Sequence, residues 1–165
     1  LILFRYYAHL NGMKESVWDY PRPPRLELSS RSIRVSYAGQ LIAQSSAGYR
    51  VLETSHPPSW YIPRADIQME FLLATRKQSF CEWKGLASYW TVKAAAQTAE
   101  NAAWSYETPN ARFAAIKGHL AFYPNVFECY VDGERVTPQP GGFYGGWITS
   151  DVVGPFKGIA GSSGW

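Results

Sequence analysis

The chain has no cysteine pairs, no long apolar stretch and no block of one charge, and each absence removes a class of protein. Its two cysteines, Cys81 and Cys129, lie far apart in the sequence, so both read as reduced thiols and not as a disulfide framework. A structural zinc needs four ligands, usually in close-spaced pairs. There is no Cys-x-x-Cys here, and His9, His56 and His119 are isolated; no metal and no cofactor is expected. No segment approaches the ~20 apolar residues that cross a bilayer. The opening LILFRYYAHL is interrupted by Arg5 and His9 and reads as an upstream extension, with Met13 the natural initiator. The net charge is only +3 and no Lys/Arg run stands out, which argues against nucleic acid as a partner. The expectation is a cytoplasmic protein with neither a membrane nor a nucleic-acid partner.

Catalytic signatures are missing as well. There is no phosphate-cradling Gly-x-x-x-x-Gly-Lys-Ser/Thr, no strand-borne Gly-x-Gly-x-x-Gly and no Gly-x-Ser-x-Gly elbow. GGFYGG (141–146) is rich in glycine, but its Phe-Tyr centre and the lack of a following helix make it a poor phosphate loop.

Aromatics are abundant: seven Trp, eleven Tyr and eight Phe, beside 14 Gly and 11 Pro in 165 residues. Few charges with many turn formers suit short strands more than a helical bundle. Residues 1–30 carry Pro21, Pro23 and Pro24 and read as an extended arm. Residues 31–136 read as the β domain and the Gly-rich residues 137–165 as a tail that wraps it, anchored by aromatics. Within the domain, Ala38-Gly39 and Asp132-Gly133 predict hairpins. YRVLET predicts a third strand, SHPPSWYIP an ordered loop with a helical turn at Arg64–Asp66, and IQMEFL an alternating strand. The stretch AAAQTAENAAW favours helix by propensity, yet its aromatic ends alternate, so a strand pair is preferred. TPNARFAAIKG predicts the clearest helix, with Thr108 as N-cap, Pro109 at the first position and Gly118 as the stop.

Three groups of residues are candidates for chemistry. Cys81 and Lys84 are three apart, so one turn brings thiol and ammonium close, an arrangement that favours a reactive thiolate; a packed structural cysteine is the plainer reading. Glu53 and His56, with Tyr61 close behind, can face one loop, and Glu100 and Glu107 flank Trp104, where rings would desolvate a carboxylate. Trp83, Tyr89, Trp90, Trp104 and Tyr106 fall within 24 positions on two neighbouring strands. Successive strand residues face opposite sides, so Tyr89 and Trp90 cannot both point inward, whereas Trp104 and Tyr106 can share a face. Such rings either line a cleft that stacks a planar or cationic ligand or simply fill the core.

The segments ESVWDYPRPPRLE, VLETSHPPSWYIP, FCEWKGLASYWTV, AENAAWSYETP and CYVDGERVTPQPGGFYGGW, in this order, resemble the domain-of-unknown-function family 427. The resemblance implies a mainly β, compact β-tent-like domain of two small antiparallel sheets, its core at about 33–125, with one short helix and extended arms. Many β-tent proteins hold zinc with two Cys pairs; those pairs are absent here, so apolar and aromatic packing must stand in for the metal. Cereblon-like relatives of that fold bind ligands in a cage of three tryptophans, which points to Trp83, Trp90 and Trp104. The family has carried a nucleotidyltransferase label, but the paired Asp-x-Asp of such enzymes is not in this sequence. The resulting expectation is an aromatic-lined cleft for a small organic molecule, stacked by Trp83, Trp90 and Trp104, flanked by Tyr89 and Tyr106, with Lys84 and Glu107 answering polar groups. The competing classes are an enzyme using Cys81 or the Glu53/His56/Tyr61 group, and a protein–protein module, self-association included.

Overall fold

The alternating segments form strands because each has one face to bury. The computed structural model describes residues 14–165, so the reading of the extension before Met13 lies outside the described residues. In chain order the strands are β1 (Glu15–Ser16), β2 (Arg25–Leu28), β3 (Ile33–Tyr37), β4 (Gln40–Ser45), β5 (Tyr49–Leu52), β6 (Ser59–Tyr61), β7 (Leu72–Cys81) and β8 (Gly85–Ala94). There follow β9 (Gln97–Ser105), β10 (Leu120–Phe122), β11 (Glu128–Val131), β12 (Glu134–Arg135), β13 (Thr137–Pro138), β14 (Trp147–Ile148) and β15 (Val152–Val153). Two four-stranded antiparallel sheets, ordered β12-β11-β3-β4 and β10-β9-β8-β7, are joined by a three-stranded sheet β2-β5-β6. The Ile62 and Leu120 backbones exchange hydrogen bonds of 2.8 and 3.0 Å, which seats β6 beside β10. The fold is mainly β.

Turn chemistry sets the registers. Ala38-Gly39 and Asp132-Gly133 both hold positive φ at their two central residues, the geometry whose twist matches paired antiparallel strands. Ala95 and Ala96 do the same at the β8–β9 turn, with φ of 50° and 61°. The alanine-rich stretch is therefore a hairpin: Tyr89 pairs with Trp104 and Val92 with Ala99, so packing prevails over helix propensity.

Three local expectations need correction. The segment expected as a helix from Pro109 is a short 3-10 stretch, Ala111–Ile116, broken at Phe113 (φ −109°, ψ 18°). Asn110, not Thr108, precedes it and makes no capping bond; its side-chain amide donates to the Trp83 carbonyl instead (2.9 Å). These two short turns bury Phe113 and Ile116, and Gly118 (φ 71°) follows them. In IQMEFL, Met69–Phe71 is a 3-10 turn and the strand begins only at Leu72. Within SHPPSWYIP, Ser59–Tyr61 is a strand paired to β5, followed by the expected turn at Arg64–Asp66.

The sheet β10-β9-β8-β7 divides the interior. One side carries Val92, Ala103, Leu120 and Phe122 against Ile33, Val35, Ile42, Trp60 and Trp147. Trp147 is 1% exposed, and its indole N–H donates to the Phe122 carbonyl (3.0 Å); emptying such a position costs about 3–5 kcal/mol. The other side carries Tyr89, Trp104 and Ala121 against Val51, Tyr61, Tyr106, Phe113 and Ile116. A small third cluster, Val17, Tyr20, Leu52 and Val152, lies where β1 pairs with β15 and the two ends of the described chain meet. Beside it, Arg50 is nearly buried between Glu15 (2.9 Å) and Glu27 (2.6 Å).

Candidate functional site

The β7–β8 hairpin closes at the Cys81–Gly85 pair, leaving Glu82, Trp83 and Lys84 as its loop. Gly85 has φ +103°, a conformation suited to glycine. The loop is fastened from outside: Asn110 donates its backbone N–H to the Lys84 carbonyl (3.0 Å) and its amide to the Trp83 carbonyl. Held this way, the Lys84 side chain runs inward. It is 8% exposed, with Nζ 5.6 Å from the Tyr106 ring centre and 5.9 Å from that of Phe113. Among the described residues no carboxylate lies within ion-pair distance of it. Burial works against the ammonium, but Tyr61, Cys81 and, further off, Glu53 more than offset it, so Lys84 is held above the ordinary lysine range.

Further rings pack against Tyr106 and Phe113 in the same cluster. The Trp104 indole N–H donates to the Tyr61 hydroxyl (3.1 Å), with the rings perpendicular at 6.3 Å. Tyr106 lies 6.2 Å from Tyr61, and Tyr123 packs on Trp104 at 4.5 Å. Tyr89 completes the face, its hydroxyl on Ser79 (2.8 Å) and its ring 4.6 Å from the Lys77 ammonium. Burial pushes the Tyr61, Tyr106 and Tyr123 phenols up, so all three are neutral near pH 7. Cys81, Trp83 and Tyr123 are half-buried and form the rim. Cys129 is fully buried in β11 on the other side of the molecule's main sheet, and burial pushes its thiol up.

Glu53 and His56 border this face, each within electrostatic reach of Lys84. The imidazole has a polar neighbour at each nitrogen. Gln139 accepts the Gly146 N–H at its oxygen (3.1 Å), so its amide nitrogen donates, to the Lys157 carbonyl (2.9 Å) and to His56 Nδ1 (3.2 Å). The ring proton is then on Nε2, which faces Glu53 at 3.5 Å. A carboxylate neighbour usually raises a histidine, but Glu53 is shared with Arg22 (3.7 Å). Burial first, then the charges of Lys157, Arg22 and Lys84, bring His56 down to about 4. It is a neutral strut between the β5–β6 connection and the tail.

Two predicted residues are elsewhere. Trp90 faces the opposite side of the sheet from Tyr89 and packs with the larger core. Its indole N–H donates to Ser105 Oγ (3.0 Å), which donates to Glu107 (3.3 Å). Arg64 pairs with Glu107 at 2.6 Å and lies 5.1 Å over the Trp90 ring. Trp90 and Glu107 thus form a second group with Arg64, apart from Trp83, Lys84, Tyr89, Trp104 and Tyr106. Three contributors were not singled out from the sequence: Phe113, Tyr123, and the tail pair Tyr144-Gly145. Tyr144 sits edge-on to His56 at 4.8 Å, and Gly145 lies flat on the Trp104 ring, leaving no room for a side chain. An open groove of about 690 Å³ lies elsewhere, over the bulged part of β7–β9 between Thr75, Lys77, Lys93 and Asn101. It reaches Tyr89 through Lys77, over the ring, and Thr75, whose hydroxyl donates to the Tyr89 carbonyl (3.3 Å). Among the described residues no three His, Cys, Asp or Glu side chains converge as a metal site would require. No helix there is long and apolar enough to cross a membrane.

The molecule is thus a mainly β domain with an aromatic face built around one buried lysine. The family model described as Domain of unknown function (DUF427), labelled NTP_transf_9, matches residues 25–136, and the chain belongs to that family. No curated protein matches it.

Proposed function

We propose that the aromatic face around Lys84 binds a small planar organic molecule, entered at the Trp83–Cys81–Tyr123 rim. The observation that carries this reading is the cluster of Tyr61, Tyr89, Trp104, Tyr106 and Tyr123, met at Tyr106 and Phe113 by a buried ammonium that has no carboxylate partner among the described residues. Aromatic walls with a few convergent polar groups are the usual make-up of a small-molecule site. A core that only had to be filled would be more stable with an apolar side chain at position 84. The use of the His56 Nδ1 lone pair by Gln139 (3.2 Å) weakens the case for an acid–base centre at Glu53/His56, since a general base needs a free lone pair toward its substrate.

Both cysteines are free thiols, which supports a cytoplasmic setting. Native mass spectrometry of the purified protein, against its denatured mass, tests the binding reading. A stoichiometric mass that is lost on denaturation, and is absent from a Trp104→Ala protein that still folds, is the expected result. An adduct surviving denaturation and mapping to Cys81 moves the reading to covalent chemistry at the thiol.

A further inference from the structure

From the charge distribution of this face we infer that its ligand carries an anionic group, a carboxylate or a phosphate ester, received by Lys84. This rests on the binding reading above and adds the sign of the ligand's charge. Among the described residues, Lys84 is the one buried charge of this face without an ionic partner, while the Lys77 ammonium over Tyr89 is exposed to solvent. Tyr61 and Tyr106 are neutral phenols near pH 7, because burial pushes both up. Glu53 is engaged by Arg22 and His56, and His56 is neutral, with Nδ1 bonded to Gln139 and Nε2 turned to Glu53 at 3.5 Å. Glu107, expected from the sequence to answer polar groups of the ligand together with Lys84, is turned to Arg64 at 2.6 Å.

What remains is an ammonium 8% exposed, whose surroundings are ring faces and the Cys81 thiol. A buried cation in this position is matched by an incoming anion, and the attraction is stronger here than in water because the rings exclude solvent. A cationic ligand, the usual guest of an aromatic cage, would instead meet Lys84 as a like charge. The cage chemistry suggested by the tryptophans alone is therefore reversed in sign by the lysine.

The experiment is saturation-transfer NMR titration of the full chain with three aromatic probes of nearly equal shape: benzoate, benzamide and benzylamine. The expected result is binding of benzoate at least tenfold tighter than benzamide, with benzylamine weakest. Lys84→Met should bring benzoate to the level of benzamide, and Lys84→Arg should keep the preference. The comparison of probes on the unaltered protein needs no variant, so a misfolded variant leaves the test intact. Equal binding of benzoate and benzamide overturns the anion inference while leaving the aromatic site standing, and a preference for benzylamine overturns it likewise. Binding of none of the three overturns the site itself, and the inference with it.

Discussion

Replacing Lys84 by methionine is expected to make the ligand-free protein more stable. Taking an ammonium out of water costs several kcal/mol even after the surroundings relax. Near pH 7 Tyr61 is a neutral phenol, so the negative charge that would retain the Lys84 proton under alkaline conditions is not yet there. The Cys81 thiol and the charge of Glu53 favour the ammonium, and so do two ring faces, at 5.6 and 5.9 Å. At the outer edge of the useful range they return about 0.5–1 kcal/mol each. Methionine keeps most of the stem that packs against Tyr106 and Phe113 and carries no charge to desolvate. The balance favours Lys84→Met by about 1–2 kcal/mol, which for a chain of this size raises the unfolding midpoint by about 2–8 °C. Scanning calorimetry at pH 7 measures it. A lower midpoint for the variant would refute the reasoning, because it would mean the ammonium holds the fold together and is not kept against the fold's interest.

Other expectations follow from the same geometry. Ala95 and Ala96 hold left-handed backbone at the β8–β9 turn, which costs an L-residue with a Cβ about 1–2 kcal/mol. Ala95→Asn with Ala96→Gly should recover about 1 kcal/mol after the added freedom of glycine in the unfolded chain is subtracted, seen as a higher urea midpoint at unchanged slope. His56 is held at about 4 against an unfolded value near 6.5. The unfolded state therefore takes up the proton first, and stability that is complete above pH 6.5 is lost as the pH falls toward 4. The loss is on the order of 3 kcal/mol, and urea titrations of His56→Gln across that window should show a flatter profile. At Gly145 an added Cβ would lie 2.3 Å from the Trp104 ring. Gly145→Ala should therefore destabilise by about 1–3 kcal/mol and change the tryptophan emission as the ring moves.

The parts of the fold set by neighbouring residues could be read from the sequence. Ala38-Gly39 and Asp132-Gly133 announce their hairpins because a two-residue turn is decided by the φ of its own residues. The alternation rule separated Tyr89 from Trp90, and the structure puts them on opposite sides of one sheet. Segment 109–117 misled because its N-terminal proline and spaced Phe113 and Ile116 describe a helix, while Asn110 is recruited by a loop far back in the chain. The Glu53–His56 contact was legible as a near-neighbour pair. That the tail's Gln139 would occupy the second imidazole nitrogen was not, since nothing local to either residue encodes a meeting across 83 positions. The same holds for Glu107, whose partner Arg64 comes from another connection. Strand residues announce which side they face; what waits on that side is decided by distant chain.

The sheet β10-β9-β8-β7 has an interior on each side, with Trp90 in one and Trp104 in the other. Two indoles on paired strands are therefore optical reporters of separate compartments. Tryptophan-to-phenylalanine variants taken one at a time can say whether a guest, a denaturant or a tail movement is felt on one side first. The wall also divides what substitution can change. Residues facing the lysine can be exchanged to alter what the molecule receives, while residues one position along in the same strand keep the larger core intact.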